Sequence, residues 1–392
     1  MGGMSEPMIY LDHAATAPMA KESIAAMEQA LETAYGNASA SYGIARKARA
    51  LLDQSRAVLA ESIHADFSEI ILTSGGSEAD NQALIAGLEA QKRVGKPRLV
   101  TSAIEHHAVL HTADYLRDRG FPVTILAVDS AGRIHPEDLE NVLTEHPDTG
   151  LVSLMWANNE VGTIEPIEDL SRIAKAHGCL FHTDAVQAYG KLSIHADEVP
   201  FDLLSASAHK IGGPKGTGFL YIRRGVEIGS LIHGGTQERG RRAGTENVPA
   251  AAGFAAAVRA AEANRDTWNE RERALQQYFA EALICAFPEG MRWNGEVPGD
   301  RRLANNISVS FPGLSTDAIL MNLDLAGIAA SGGSACTTGL PEPSHVILAM
   351  TGDAERARGT VRFTLGPENT KEEIDRTVSV LKETILRLRA LS

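Results

Sequence analysis

The feature that most constrains the fold of this chain is a regular alternation of short β-branched runs with amphipathic helical windows over residues 20–225. The runs that predict strands lie at 69–73, 98–102, 122–128, 151–156 and 179–184. Strands that alternate with helices favour a largely parallel, doubly wound sheet that is covered by helices on both faces. The sequence therefore predicts an α/β fold built around such a sheet.

The pattern changes after Asn247, where the alternation of strands and helices stops. The remaining predicted elements are one or two long helices over 247–286, a strand at 305–311, a helix near 315–325 and a final helix near 370–391. We therefore predict two domains. The larger comprises residues 16–260, and a smaller α+β domain combines residues 1–15 with residues 261–392.

The charge balance narrows the class of partner. The chain has 37 Lys and Arg residues against 50 Asp and Glu residues, a formal net charge of −13. Because phosphate backbones and anionic lipid surfaces attract clustered positive charge, we expect neither nucleic acid nor a membrane as a partner. No signal peptide and no apolar run of about 18 residues is visible. Three cysteines in 392 residues do not make a disulfide framework, so we expect a cytoplasmic protein.

The strongest local signal is the run SASAHKIGGPKGTG at 205–218. An apolar strand ends there in His209 and Lys210, and the glycines that follow allow tight turns and a close approach of backbone to a ligand. The spacing of a phosphate-binding Walker A loop is absent. By itself Lys210 could equally be a solvated surface lysine beside a turn.

Other predicted strands also end in polar residues. TSGGSEADN at 73–81 leaves a strand through two glycines and enters a helix at Ser77, and free N–H groups at a helix start can hold an anion. Asp184 follows another strand, at the end where open α/β sheets bind ligands, although it could simply cap the next helix. Asn158 and Asn159 follow a third strand, where asparagines are usually turn formers.

Three histidines, His106, His107 and His111, lie close together in TSAIEHHAVLHT. His107 and His111 are four residues apart and could share a helix face. No HExxH pattern or cysteine partner accompanies them, so the sequence does not favour a metal site. A flat ring packed on a planar group, or an ordinary polar neighbour, is the preferred interpretation.

The three cysteines differ in their surroundings. Cys179 and Cys285 lie within apolar segments and are expected to be small buried side chains. Cys336 lies in SGGSACTTGLPEPSH, which has no apolar periodicity, so we expect an exposed loop. A thiol that solvent and substrate can reach is more easily explained by a chemical role than by packing.

Together these features describe one kind of site. A lysine can form a Schiff base, an acid can pair with a pyridinium nitrogen, a helix start can hold a phosphate and a ring can stack. These are the contributions that a protein makes to pyridoxal 5′-phosphate chemistry.

Several motifs then identify a family. YLDHAATAP, ANNEVGTIEPI, HTDAVQAYGK, SASAHKIGGPKGTG, RRAGTENVP and SGGSACT run almost from end to end of the chain. In this combination they closely resemble the cysteine desulfurases, a group within the class V, fold-type I enzymes that depend on pyridoxal 5′-phosphate. The version of the loop around Cys336 is similar to that of the members serving nitrogenase maturation and general iron–sulfur cluster assembly.

The resemblance implies a role for each matching residue. Lys210 would carry the cofactor covalently, Asp184 would pair with its ring nitrogen, and His106 would stack on the ring and take part in catalysis. Arg362, aided by Asn159, would hold the substrate carboxylate, and Cys336 would be the nucleophile. Gln187 and Asn159 would contact the O3′ side of the cofactor ring. The phosphate would be held by Gly76, Ser77, Ser207 and His209, together with Thr245 from a partner subunit.

The resemblance also implies an activity and partners. The expected reaction removes sulfur from L-cysteine, gives L-alanine and leaves a persulfide on Cys336 for a sulfur-acceptor protein. Thr245 acting across subunits implies a homodimer. The alternative enzymatic function is that of a selenocysteine lyase or a class V aminotransferase. The non-enzymatic alternative is a regulatory or scaffold protein that keeps the fold but has lost the catalytic activity. The loop GNASASYG at 36–43 lacks a histidine common in the family, and the C-terminal tail by which some members dock a scaffold protein is not seen.

Overall fold

The computed structural model describes residues 8–332 and 343–391, and twelve strands lie within these ranges. The strands are β1 (Ile9–Tyr10), β2 (Ile70–Thr73), β3 (Arg98–Ser102), β4 (Val123–Leu126), β5 (Thr149–Ser153), β6 (Leu180–Asp184), β7 (Leu203–Ser207), β8 (Gly218–Ile222), β9 (Arg292–Trp293), β10 (Asn306–Ser310), β11 (Ile328–Ala329) and β12 (Thr360–Thr364). All five strands predicted up to residue 184 form, with ends that differ by no more than a few residues.

The described helices pack against these strands or against one another. They are α1 (Lys21–Thr33), α2 (Gly43–Glu61), α3 (Gly76–Lys92), α4 (His107–Asp118), α5 (Pro136–Glu145), α6 (Ile167–Ala176), α7 (Val248–Ala286), α8 (Thr316–Leu325), α9 (His345–Thr351), α10 (Ala354–Arg358) and α11 (Lys371–Leu391). Gly120 and Gly178, which follow α4 and α6, adopt φ of 83° and 66°, the left-handed backbone that terminates helices. None of the described helices is both long and apolar enough to cross a membrane.

A seven-stranded sheet in the order β2-β8-β7-β6-β5-β3-β4 forms the centre of the fold. The five strands from β7 to β4 in this order run parallel to their neighbours, whereas β8 is antiparallel to both β7 and β2. The predicted α/β class with a mainly parallel, doubly wound sheet is confirmed. Because parallel strands share one carboxyl edge, the segments that leave β5, β6 and β7 meet there.

Helix α7 contributes to two apolar cores, one near its start and the other near its end. Phe254, near its start, packs with Phe181 and Phe219 of the large sheet. Phe279, near its end, packs with Phe363 and the second, three-stranded sheet β12-β10-β9. The predicted domain boundary near residue 260 falls within this one helix. The division into domains remains a prediction.

The N-terminal strap, which we define as residues 9–17, connects the two cores. Its strand β1 pairs with β11, and Leu11 is buried in the second core. Ala14 N–H donates to Thr364 Oγ1 over 2.9 Å, and Ala17 N–H donates to the carbonyl of His209 over 2.8 Å. The strap therefore contacts both the smaller sheet and the end of β7.

The two described cysteines differ from one another. Cys179 is buried as expected, and burial raises the pKa of its thiol to about 11. Cys285 is exposed, so the expectation that it is buried is wrong. The buried stripe of α7 follows Leu275, Phe279 and Leu283 at four-residue spacing, and a residue two positions beyond this stripe lies on the opposite side of the helix.

Candidate active site

A cavity of about 300 Å³ opens at the carboxyl edge of the large sheet. Ten residues predicted from the sequence line it together: Gly76, Ser77, His106, Asn159, Asp184, Gln187, Ser207, His209, Lys210 and Arg362. They come from the ends of β5, β6 and β7, from the starts of α3 and α4, and from β12 of the smaller sheet. The topology of the sheet brings these distant segments to one place.

Lys210 ends a short 3₁₀ turn, Ala208–Lys210, that follows β7 directly. Its Nζ donates hydrogen bonds to the carbonyl oxygens of Ala14 and Ala15 in the N-terminal strap, over 2.7 and 2.8 Å. Burial, and then the nearby positive charge of Arg362, lowers the pKa of Lys210 to about 8. The neutral amine is therefore far more populated near physiological pH than in an ordinary lysine, and a neutral amine can act as a nucleophile or a base.

The turn after Lys210 depends on glycine. Gly212 has φ of 80°, and a Cβ on Gly213 would lie 2.9 Å from the carbonyl oxygen of Ala208. The chain can fold back beneath the lysine only because these positions lack a side chain. This accounts for the glycine cluster singled out in the sequence.

Three buried carboxyl groups line the cavity, and two of them, Asp184 and Asp80, affect each other's ionisation. Asp184, at the end of β6, accepts a hydrogen bond from Val186 N over 2.9 Å, and burial raises its pKa to about 6. Asp80, on α3, is more strongly affected, since burial and the neighbouring Asp184 raise its pKa well above the ordinary value. Burial and mutual repulsion disfavour two charges here, and the hydrogen bond from Val186 N favours the ionised form of Asp184, so we assign the negative charge of this pair to Asp184.

The first turn of α3 forms a cradle suited to an anion. Gly75 precedes the helix with φ of 153°, and no side chain caps the helix start. A Cβ on Gly76 would lie 2.6 Å from Val186 Cγ2, so glycine is needed for the helix to approach β6 this closely. Ser207 and His209 line the cavity with Ser77. Uncapped N–H groups and the helix dipole favour a phosphate or carboxylate at this position.

His106 caps the start of α4 and presents a neutral ring to the cavity. Its Nδ1 accepts a hydrogen bond from Ala108 N over 3.1 Å, which fixes the ring orientation. Burial, followed by the charge of Lys210, lowers the pKa of His106 to about 4. His107 also lines the cavity, where its ring centroid lies 4.7 Å from that of His345. A fixed, uncharged imidazole suits stacking on a planar ligand.

Arg362 is buried, and part of its guanidinium is already engaged. Nη1 donates to the carbonyl of Asn159 over 2.8 Å, and Nη2 donates to Asp12 Oδ1 over 2.6 Å. Its Nε has no hydrogen-bond partner among the described residues. A buried guanidinium beside the cavity, with a donor to spare, is suited to bind a carboxylate.

The neighbouring Asn158 has a structural role. Its side chain donates to the carbonyl of Ile104 and accepts from the N–H groups of Glu160 and Val161. These bonds build the turn that carries Asn159 to the cavity. The turn-forming interpretation therefore applies to Asn158, whereas Asn159 lies at the site.

Two predicted site residues are not among the cavity-lining residues that the structure describes. Thr245 is exposed outside the cavity, and Cys336 lies outside the described residues. The sequence analysis also missed several lining residues: Ala14, Ala15, Asp80, Met155, Glu160 and His345. The polar run that ends β1, YLDHAAT, was the available signal for the first two, but they act through backbone carbonyls that no side-chain pattern reveals.

Comparison with known proteins gives consistent results. The family model described as aminotransferase class V matches residues 9–377. A cysteine desulfurase IscS from Dictyoglomus turgidum is 44% identical over 384 residues, 98% of this chain and 96% of that protein. A solved NifS-like protein superposes with a TM-score of 0.89 at 35% identity, covering 97% of this chain and all of that one. A structure described as SspA in complex with cysteine gives a TM-score of 0.79 at 35% identity, covering 92% of this chain and all of that one.

Proposed function

The chain belongs to the class V aminotransferase family, and we propose that it is a cysteine desulfurase, which removes sulfur from L-cysteine and releases L-alanine. The observation that carries the proposal is the convergence of Lys210, ionised Asp184 and Arg362 around one cavity beside an anion cradle. Its cofactor is pyridoxal 5′-phosphate, which supplies an electron sink for negative charge at the substrate Cα. A similar solved structure, described in complex with cysteine, supports cysteine as the substrate.

The residues present fit this cofactor. The cradle at the start of α3 has N–H groups without a side-chain cap, as a phosphate requires, and Gly76, Ser77, Ser207 and His209 would hold that group. Asp184 carries the negative charge that a protonated ring nitrogen needs as a partner. The neutral ring of His106 would stack on the pyridine ring, and Gln187 and Asn159 would contact its O3′ side.

Lys210 has two tasks in the proposed reaction. Its lowered pKa makes the neutral amine available for covalent attachment of the cofactor, and after displacement by the substrate amine it can remove the proton from Cα. When the amine is free, the carbonyls of Ala14 and Ala15 hold it at the edge of the cavity. Asp12 orients Arg362, whose remaining donor would bind the substrate carboxylate together with Asn159.

Cys336 is the proposed sulfur acceptor within the chain. Its thiolate attacks the sulfur of the substrate: a sulfur–sulfur bond forms, the carbon–sulfur bond breaks, and the electron pair of that bond stays with the amino-acid fragment. The fragment takes up a proton and leaves as alanine. The described residues on both sides of the loop support this role, because Ser331 pairs with Arg362 and His345 lines the cavity.

The test is the incubation of the purified holoenzyme with L-cysteine. We expect equal amounts of alanine and sulfur, with sulfide released when a reductant is present. An aminotransferase would form pyruvate-type keto acids and need no protein thiol, and a selenocysteine lyase would turn over selenocysteine far faster than cysteine. We further propose that the persulfide is passed to a sulfur-acceptor protein, as in iron–sulfur cluster assembly.

The charge on Asp184 can be tested with a matched neighbour. Asp184→Asn should lower kcat by about 10²–10³-fold, because an amide cannot hold a proton on the ring nitrogen by charge pairing. Burial and the neighbouring Asp184 raise the pKa of Asp80, which favours its neutral form, so the effect of Asp80→Asn should be much smaller. Turnover and the absorbance of the bound cofactor measure both. Equal losses in the two variants would contradict the assignment of the charge to Asp184.

We also propose that the enzyme is a homodimer in which residues 241–249 reach the phosphate of the partner subunit. The segment follows two residues in left-handed backbone, Glu238 and Arg239, with φ of 48° and 58°. A buried ion pair, in which Arg56 Nη2 lies 2.7 Å from Glu238 Oε1, stabilises this costly turn. The turn therefore fixes the path of the following segment, which presents Thr245 to solvent.

Thr245→Ala should weaken cofactor binding by about tenfold, since one hydrogen bond to a charged phosphate is lost. Thr236→Ala is the control, because Thr236 is also exposed and its side chain makes no capping bond. Dialysis against a series of cofactor concentrations gives the affinities, and sedimentation gives the oligomeric state. A monomer that retains its cofactor on dilution would refute the shared site.

A further inference from the structure

We propose that His64, His195 and Asp197, none of which lines the cavity of the proposed active site, form a binding site for a zinc-like divalent metal ion. Each of the three offers one ligand atom, and these atoms lie within 4.8 Å of one another. Two imidazoles and one carboxylate are a ligand set typical of Zn²⁺, with a fourth position left for water. This site does not depend on the proposed desulfurase function.

The spacing of the three ligand atoms requires only a small adjustment. Bonds of 2.0–2.2 Å in a tetrahedral zinc site place its ligand atoms about 3.3–3.5 Å apart. The side chains of His64 and Asp197 are exposed and that of His195 is half-buried, so rotamer changes can close the remaining gap.

The backbone that carries the ligands is held in place. His64 lies in the connection after α2, and His195 and Asp197 lie between β6 and β7. Ala196 N–H donates to the carbonyl of Ile63 over 2.9 Å, and the side chains of both these residues are buried. Ser193 Oγ lies 2.8 Å from His195 Nε2 and orients this ring. Such a partner beyond the metal is a regular feature of histidine ligands.

The two imidazole rings lie against each other. Their centroids are 4.2 Å apart with an interplanar angle of 21°. An imidazole binds a metal ion in the plane of its ring, so one of the two rings has to turn out of this stack for both to bind the same ion. Glu61 and Glu262 add negative charge near His64. The charged groups that act on Glu262 are Glu61, Arg265 and His64, so Arg265 is the one permanent positive charge among them.

His64 also occupies a position where glycine would be the ordinary choice. It has φ of 53° at the end of α2, where His64 N–H donates to the carbonyl of Glu61 and Ala65 N–H donates to that of Ala60. This is the helix-ending motif that usually places glycine in the left-handed position. A histidine there costs backbone energy, and the side chain is aimed at His195 in return. The carboxyl end of a helix also favours a cation.

The backbone conformation provides a decisive variant. His64→Gly removes a ligand but suits the left-handed position, so the variant should fold at least as well as the parent chain. The control is His135→Ala, because His135 pairs with Asp129 over 3.3 Å in an exposed pair that offers only two ligands. Both variants are made in a Cys336→Ser background, since a reactive thiol could bind zinc itself.

The measurement is the titration of the holoprotein with Zn²⁺ by calorimetry and by metal analysis after dialysis. The parent and the His135→Ala protein should bind one equivalent more tightly than the His64→Gly protein, by at least about 100-fold in Kd. Zinc should raise Tm in the first two and leave it unchanged in the third. Equal stoichiometry, affinity and Tm shift in all three proteins would overturn the proposal, as would saturation only at millimolar zinc.

Discussion

Replacing Cys336 by serine should abolish the release of sulfide from L-cysteine under reducing conditions while leaving the cofactor bound. Oxygen keeps the shape of the side chain but is a far weaker nucleophile towards sulfur and cannot carry a persulfide. The earlier steps depend on Lys210 and Asp184, so the cofactor spectrum should still change when L-cysteine is added. Turnover should fall to background, and mass spectrometry should find no persulfide on the protein.

The other two cysteines are the matched controls, and the structure distinguishes between them. Burial raises the pKa of the Cys179 thiol to about 11, so it remains protonated at neutral pH, and any loss in Cys179→Ser would come from packing. Cys285 is exposed on the outer face of α7, so Cys285→Ser should change neither stability nor turnover. Full desulfurase activity in Cys336→Ser would instead indicate direct β-elimination or transamination.

Lys210→Ala should eliminate the covalent, borohydride-reducible attachment of the cofactor and lower kcat by at least about 10⁴-fold, because the same amine serves as attachment point and as base. The anion cradle and Asp184 do not depend on this amine, so the variant should still bind the cofactor non-covalently. Mass spectrometry of the reduced protein after proteolysis identifies the modified lysine.

Lys215 provides the comparison, since it belongs to the same glycine-rich segment and Lys215→Ala leaves the strand-end amine in place. This variant should keep the reducible adduct and most of its activity. A reduced adduct on Lys215 in the parent protein would show that the wrong lysine of this segment had been assigned.

Much of the site could be predicted because it is a property of sheet topology. Asp184 and Lys210 each follow a strand, and parallel strands bring their carboxyl ends to one edge regardless of their separation in sequence. The antiparallel direction of β8 was not predicted, although the connection from Ser207 to Gly218 is too short for the helical crossover that a parallel strand requires. The short connection between the two strands was the sequence feature that could have predicted the antiparallel pairing.

Other residues escaped prediction for physical reasons. Ala14 and Ala15 contribute only carbonyl oxygens to Lys210, and a backbone atom has no side-chain signature. Asp80 has the polarity of an exposed helix position, and only the packing of α3 against the sheet buries it. Cys285 shows the opposite error, since an apolar neighbourhood in the sequence does not say which face of a helix a residue occupies.

The N-terminal strap makes the behaviour of two active-site groups interdependent. Asp12 holds the guanidinium of Arg362, and two residues later the strap carbonyls begin to hold the amine of Lys210. A carboxylate that binds the remaining donor of Arg362 therefore acts beside one end of the same short peptide that retains the amine. Thermodynamic reciprocity requires that any effect of occupying the arginine on release of the amine is matched by an equal effect in the opposite direction. Binding of the substrate carboxylate at Arg362 and the availability of the Lys210 amine would then be linked through this peptide.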